Sequence, residues 1–348
     1  MAALRVGVLG YGLAGRVFHA PLIAATPGLE LTSVVTGDPQ RRAQATEELP
    51  GVEVLGSAEA LWSRAGDHDL VVVATGTAAH AGLTLAAVEA GLPVVVEKPM
   101  AATVADARSM VEVSRRTGVP VVPFHNRRWD SDHLTLHRLL EQGALGRVHR
   151  YESRFERWRP QRAPGAWREE LSALDGGGVL LDLGVHLVDQ ARTLFGPVSH
   201  VYGEVAARRG GSDDDVFMAL THASGVHAQL WASAVAAAPG PRLRVHGSAG
   251  GYVVARLDGQ EDALRAGRRP DEAEFGIEPP ERWGRLVRGD EEEPVPSERG
   301  CWRAFYEGMV RTVGDGDRPP VDLEDALATL EVLEAARRSA AESVVVAL

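Results

Sequence analysis

The chain has 348 residues, 45% hydrophobic and 24% charged, with a formal net charge of −11. That length predicts about two domains with cores large enough to stand without staples, and the acidic balance argues against phosphate backbones or anionic membrane surfaces as partners. Cys301 stands alone, which excludes an internal disulfide and a cysteine-based metal cluster, and no run of about 18 apolar residues is present to span a bilayer.

The first residues run directly into an apolar β-type segment, without the basic stretch, apolar run and cleavage site of a signal peptide, so a cytoplasmic location is expected. All but one of the 37 Lys and Arg residues are arginine; the exception is Lys98. Genomic base composition explains the drift to arginine, but not the place of the survivor. Arginine keeps its proton in proteins whereas a buried lysine can lose it, so a chemical reason for Lys98 is expected.

Residues 1–122 alternate short apolar runs with helical patterns. Strands are predicted at Leu4–Leu9, Leu31–Val35, Val52–Leu55, Leu70–Ala74, Val94–Glu97 and Val119–Val122, with helices at Pro39–Glu48, Ala79–Ala90 and Val104–Arg116. Gly91 and Gly118 sit where helix C-caps belong. Val- and Leu-rich strands separated by helices imply an α/β fold, a doubly wound parallel sheet with right-handed crossovers.

Within that unit Gly10-Tyr11-Gly12-Leu13-Ala14-Gly15 is a G-x-G-x-x-G turn after a strand and before a helix. The first glycine permits the tight turn, the second lets a pyrophosphate approach, and the third lets helix pack on strand. Pro21 is expected to bend or restart that helix. At the second strand tip, where an acid would bind the ribose of NAD, the chain reads Thr36-Gly37-Asp38-Pro39-Gln40-Arg41-Arg42. Thr36, Gly37 and Arg41 or Arg42 suit a 2′-phosphate, so NADP is expected, with NAD the runner-up through Asp38. Lys98 closes Val94-Val95-Val96-Glu97-Lys98-Pro99, at the carboxyl end of a strand where doubly wound sheets bind ligands. Leu13, Thr75, His80 and Glu97 complete the cofactor-binding set expected with Gly10, Gly12, Gly15 and Lys98.

Residues 123–348 read differently. A helix near Asp132–Gln142 and an alternating strand, Val148–Trp158, precede an Arg/Pro/Gly-rich loop. Gly176-Gly177-Gly178 then opens an apolar helix to about Phe195. Strands follow at Val198–Ala206, Val216–His222, Val226–Ala234, Arg242–His246 and Gly251–Arg256, joined by short polar turns that imply a largely antiparallel sheet. The acidic, Pro-rich stretch Gly259–Gly300 reads as a long surface loop, and helices at Trp302–Val313 and Leu323–Ser339 close the chain. In the apolar helix, Asp182 and His186 are four apart and share a face, an arrangement in which an acid orients a proton-accepting histidine. Gly184 is read as leaving room for a small ligand, and Asp189 as structural. His133 and His137 have metal-ligand spacing but no third ligand, so no metal is expected.

The glycine turn, the E-K-P at a strand end and the later G-G-G-x-x-x-D-x-G-x-H, in that order, resemble the Gfo/Idh/MocA oxidoreductases over essentially the whole chain. Phe18-His19-Ala20-Pro21-Leu22-Ile23, His125-Asn126-Arg127-Arg128-Trp129-Asp130-Ser131-Asp132 and Val245-His246-Gly247-Ser248 are similar to the branch that includes NADP-dependent scyllo-inositol dehydrogenase. The resemblance implies a Rossmann domain followed by an α+β domain with an open, mainly antiparallel sheet whose outer face builds a homodimer or homotetramer. It implies a cis Pro99 and a catalytic set of Lys98, Asp182 and His186.

The expected activity is hydride transfer between NADP and a secondary hydroxyl of a cyclic polyol or sugar. Lys98 and His186 both remain candidates for the base. Asn126, Arg127, Arg157 and Arg159 join Lys98, Asp182 and His186 as candidate substrate contacts. The alternatives are a non-catalytic NAD(P)-binding regulator and an NAD-dependent sugar-modifying enzyme that holds its cofactor tightly.

Overall fold

Six short strands rich in valine and leucine pair side by side in parallel: β1 (Leu4–Leu9), β2 (Leu29–Val35), β3 (Glu53–Leu55), β4 (Leu70–Val73), β5 (Val94–Val96) and β6 (Val121–Pro123). The computed structural model describes residues 2–162, 171–172 and 175–348. The strand order β3-β2-β1-β4-β5-β6 reverses between β1 and β4, and that crevice is where doubly wound sheets bind dinucleotides. Both faces are covered, so β4 and β5 are buried at every position and show no polar alternation. Helices at Pro39–Glu48, His80–Glu89 and Val104–Thr117 supply crossovers, and Gly118 ends the last of them in the left-handed region at φ 72°.

The first compact unit comprises residues 1–126, 260–275 and 301–327; the second comprises 127–259, 276–300 and 328–348. The second unit carries β7 (Val148–Glu156), β8 (Val198–Ala206), β9 (Asp215–His222), β10 (His227–Ser233), β11 (Leu243–Gly247), β12 (Gly250–Val254), β13 (Gly284–Arg288), β14 (Glu291–Val295) and β15 (Val346–Ala347). They form one sheet in the order β14-β13-β12-β11-β7-β10-β9-β8-β15, antiparallel throughout except for the parallel pair β7 and β10. Strict alternation sends Val216, Met218 and Leu220 of β9 inward and leaves Phe217, Ala219 and Thr221 on the other face. The Val185–Phe195 helix covers the inner face against β7 and β10.

One expectation needs correction. The stretch 259–300 is not a single loop: it forms a helix at Gln260–Arg265, a short turn at Pro280–Arg282 and the hairpin β13–β14. Its acidic run Glu291-Glu292-Glu293 lies exposed on β14 at the sheet edge. Charge on an edge strand blocks further pairing, so a segment that reads as solvated loop serves as a protected sheet margin. The short β15 was not anticipated either, and the long strand ends at Glu156, with Trp158 in an isolated bridge to Val235. The Arg/Pro/Gly-rich loop expected after β7 lies largely outside the described residues. No described helix is long and apolar enough to cross a membrane.

Burial of His133 in the Ser131–Glu141 helix pushes its imidazole down to about 4. The unfolded chain therefore binds a proton near pH 6.5 that the native state refuses until about pH 4, and stability falls as pH drops through that window. Lowering the pH from 7.5 to 5 should cost about 2 kcal/mol through this residue. Urea midpoints at the two pH values check it: His133→Gln should lose that much less than wild type on acidification.

Candidate active site

In the first unit the chain leaves β1 through the glycine turn. Gly10 has φ 101°, and a Cβ there would lie 2.6 Å from the Ala74 carbonyl oxygen at the end of β4. A Cβ on Gly15 would overlap the Gly10 carbonyl oxygen, so the third glycine closes the turn against the first. Tyr11 is buried with its hydroxyl donating to Glu48 (2.9 Å), which also accepts a bidentate pair from Arg16. Glu48, unremarked in the sequence, ties the turn to the end of the Pro39–Glu48 helix; the Arg16 hydrogen bond holds its carboxyl below the usual range. Behind the turn the backbone winds wide over Ala14–His19 and tightens at Ala20–Ala24, so Pro21, which has no N–H to give, sits where the helix restarts.

The tip of β2 bears on cofactor choice. Thr36 is buried, and its hydroxyl accepts a long 3.4 Å hydrogen bond from the Asp38 N–H. Asp38 caps the next helix, accepting from the Gln40 and Arg41 N–H groups at 2.8 and 3.2 Å. Its carboxylate is engaged by its own helix. The Arg41 guanidinium reaches over the glycine turn, 3.6 Å from where a Gly12 Cβ would stand, while Arg42 lies over Gly56. Leu13 is exposed on the turn.

At the tip of β5 the polar groups begin where the strand ends. Val94–Val96 are fully buried, Glu97 is buried, and Lys98 is half-buried ahead of a cis Pro99. One Glu97 oxygen accepts from the Lys98 backbone N–H (3.0 Å), and the other lies 3.0 Å from His19 Nε2. Burial alone would raise the Glu97 carboxyl, but the His19 hydrogen bond and charge, with Lys98 and His80, bring it below the ordinary value. His80 is buried with Nδ1 2.9 Å from the Pro99 carbonyl and Nε2 3.2 Å from that of Thr75, so it braces the tips of β4 and β5 together. Burial lowers its pKa, with the hydrogen bonds to the two carbonyls acting the other way. Asn126 is buried at the start of a short turn.

In the second unit the glycine run works as a helix start. A Cβ on Gly178, at φ 92°, would strike the Asp213 carboxylate, which accepts the Leu180 N–H at 2.7 Å. Burial raises the Asp213 carboxyl, with the Leu180 N–H and Arg337 acting the other way. The backbone winds wide over Leu180–Gly184 before the Val185–Phe195 helix, so Asp182 and His186 straddle a change of winding rather than one regular helical face. His186 is buried with its ring 6.0 Å from that of Phe155 on β7. Asp182 is half-buried, 3.8 Å from the Arg157 guanidinium.

Gly184 does not leave ligand space. A Cβ there would meet Leu180, Met218 and Leu333 at 3.3 to 3.5 Å, so this glycine serves close packing. Among the described residues no three His, Cys, Asp or Glu side chains converge as a metal set.

Arg242 belongs to no motif in the sequence and is buried at the centre of this unit. It donates to Gln190 of the His186 helix (2.6 Å) and to Ser153 of β7, pairs with Asp132 (3.1 Å), and stacks on Phe155. Arg127 also lies over Phe155 and pairs with Asp130 at 3.2 Å. Asp189, read as structural, forms a buried bidentate pair with Arg128. Arg157 is half-exposed and Arg159 exposed. The expected residues thus fall into two groups, Gly10 to Asn126 in the first unit and Arg127 to His186 in the second.

Comparison with known proteins agrees with both halves. Residues 4–125 match the model of an oxidoreductase family with an NAD-binding Rossmann fold, and residues 133–253 match the GFO/IDH/MocA C-terminal domain. The chain is 38% identical to the oxidoreductase YdgJ of Escherichia coli (strain K12), covering 97% of this chain and 96% of that one. It is 34% identical to scyllo-inositol 2-dehydrogenase (NADP(+)) IolW of Bacillus subtilis (strain 168), covering 97% and 94%. The solved oxidoreductase yvaA from Bacillus subtilis superposes with a TM-score of 0.93 at 32% identity, covering 100% of this chain and 99% of that one.

Gly15→Ala tests the glycine turn. The added methyl must push Gly10 out of place, so titration calorimetry should show dinucleotide affinity lower by about tenfold or more. Unchanged affinity would mean the turn is not where the dinucleotide binds.

Proposed function

The chain belongs to the Gfo/Idh/MocA oxidoreductases, and on that premise we propose that it is an NADP-dependent dehydrogenase of a secondary hydroxyl on an inositol-like polyol or sugar. The observation that carries the reading is the lone lysine, Lys98, at the buried tip of β5.

The glycine turn fits a dinucleotide, because Gly10 and Gly15 occupy positions any Cβ would block. Thr36, Gly37 and Arg41 would hold the 2′-phosphate; the capping role of Asp38 and the reach of Arg41 over Gly12 support NADP over NAD. The bound nicotinamide supplies the hydride acceptor for oxidation and the donor for reduction. Lys98 donates to the reacting oxygen and stabilises the negative charge that develops on it. His186 accepts the hydroxyl proton during oxidation and returns it during reduction. Asp182, as a carboxylate, favours the imidazolium that forms, with the half-exposed Arg157 beside it as a contact for substrate hydroxyls. The similarity to a protein named as an NADP-dependent scyllo-inositol dehydrogenase supports the substrate class.

A panel of inositols, aldoses and their keto forms with NADP(H) and NAD(H), followed at 340 nm, tests the reading; turnover of no member would overturn it. Lys98→Arg keeps the charge but replaces a compact ammonium with a planar fork. Its kcat should fall about 100-fold or more, the scale of a positioned proton-donating contact. Thr36→Asp should invert cofactor preference, by repelling the 2′-phosphate and offering the ribose an acceptor. The check is kcat/KM for both cofactors: a wild type that already prefers NAD removes the assignment of Thr36 and Arg41.

A further inference from the structure

His19 lies in the wide helical stretch behind the glycine turn and is completely buried. Its Nε2 is 3.0 Å from one oxygen of Glu97, whose other oxygen accepts the Lys98 backbone N–H at 3.0 Å. Its Nδ1 is 2.6 Å from the hydroxyl of Tyr306, on the Arg303–Asp315 helix. Aromatic rings enclose the chain of contacts: Phe124 lies 4.5 Å from the His19 ring and 4.9 Å from Phe305, which in turn lies 5.4 Å from Tyr306. Segments near residues 19, 97 and 306 thus meet in one polar thread through an apolar interior of the first unit.

We infer that His19, fixed from behind by Tyr306, is a positioning residue for the Lys98 strand tip, acting through Glu97. The inference rests on the proposed role of Lys98 in handling the reacting oxygen. A carboxylate inside an apolar wall is costly unless it is paired and hydrogen-bonded. His19 supplies that partner, and Glu97 then stays charged and accepts the Lys98 N–H strongly. Without His19, Glu97 either takes a proton or turns toward water. Both changes weaken its grip on the Lys98 backbone and remove a negative charge from beside the Lys98 ammonium. His19 is also four residues beyond Gly15, so one helical segment both lines the dinucleotide turn and anchors the lysine. Misplacing a catalytic group by about 1 Å costs on the order of 100-fold in rate, so a thread that fixes the tip has a kinetic effect without touching substrate.

The single lysine makes the thread directly observable. Protein grown with [15N]lysine gives one backbone amide resonance, that of Lys98. In wild type it should lie downfield, as an N–H bonded to a carboxylate does. His19→Ala should move it upfield; His19→Gln, whose amide nitrogen can replace Nε2 as donor to Glu97, should restore most of the shift. Tyr306→Phe removes one hydroxyl and keeps the ring, so it should move the signal the same way by less, and it carries the test if His19→Ala does not fold. An unmoved Lys98 signal in folded His19→Ala or Tyr306→Phe overturns the inference.

Turnover of scyllo-inositol with NADP gives the second readout. His19→Ala should lower kcat about tenfold or more with the KM for NADP changed less than about twofold, and His19→Gln should recover most of it. In a double-mutant cycle with Lys98→Met the His19 effect should vanish, because it acts through Lys98. Independent, multiplying losses overturn the inference. Full turnover in Lys98→Met would instead overturn the proposed role of Lys98, while the amide signal still decides whether His19 holds the strand tip.

Discussion

Parallel pairing puts the carboxyl ends of β1, β2, β4 and β5 on one edge of the first sheet, and the chemistry of that unit depends on the alignment. β4 and β5 are apolar throughout because both faces are covered. The candidate groups enter where each strand runs out, at Gly10, Thr36, Thr75 and Glu97. The reversal of strand order between β1 and β4 opens the edge there, and the glycine turn presses on the Ala74 carbonyl at that point. The glycine turn, Thr36, Thr75, Glu97 and Lys98 lie on this edge, where the chain leaves the strand ladder.

An edge assembled from loop starts needs bracing, and buried histidines supply it. His80 spans the carbonyls of Thr75 and Pro99, joining adjacent strand tips, and His19 reaches Glu97. Glu48 plays the matching part outside, holding Tyr11 and Arg16. These contacts add little net stability, since buried polar pairs roughly offset their desolvation. They narrow the positions the tips can adopt, which is what a site for a two-substrate reaction requires.

The second unit solves the same problem with arginine. Arg242 joins the Ser131–Glu141 helix, β7 and the His186 helix through Asp132, Ser153 and Gln190, and stacks on the Phe155 ring that also faces His186. A planar fork with five donors meets several acceptors at once in a way an ammonium cannot. Asp213 begins the helix by capping Leu180 over Gly178. Each unit has a widely wound helical stretch entered through glycines: Ala14–His19 contains Gly15, and Leu180–Gly184 contains Asp182 and is followed by His186. Wide winding re-aims side chains by a fraction of a turn and recurs at functional sites.

The sequence by itself determined the two architectures and the family to which the chain belongs. Val- and Leu-rich runs at helix-spaced intervals force a parallel sheet, and the glycine spacing can serve few purposes but a close turn. One lysine among so many arginines marks Lys98 without any coordinates. What sequence could not determine is whatever depends on pairing across long separations. The 259–300 stretch reads as loop because its charges are those of an exposed edge, and only its register against β12 makes β13 and β14 strands. Gly184 reads as a gap and proves to be packing, since the space beside a glycine is set by Met218 and Leu333, far along the chain. Tyr306 and Arg242 carry no local signal, and the motif that holds His19 does not tell its partners, because a buried polar residue is recognised by groups that come together only when the chain has folded.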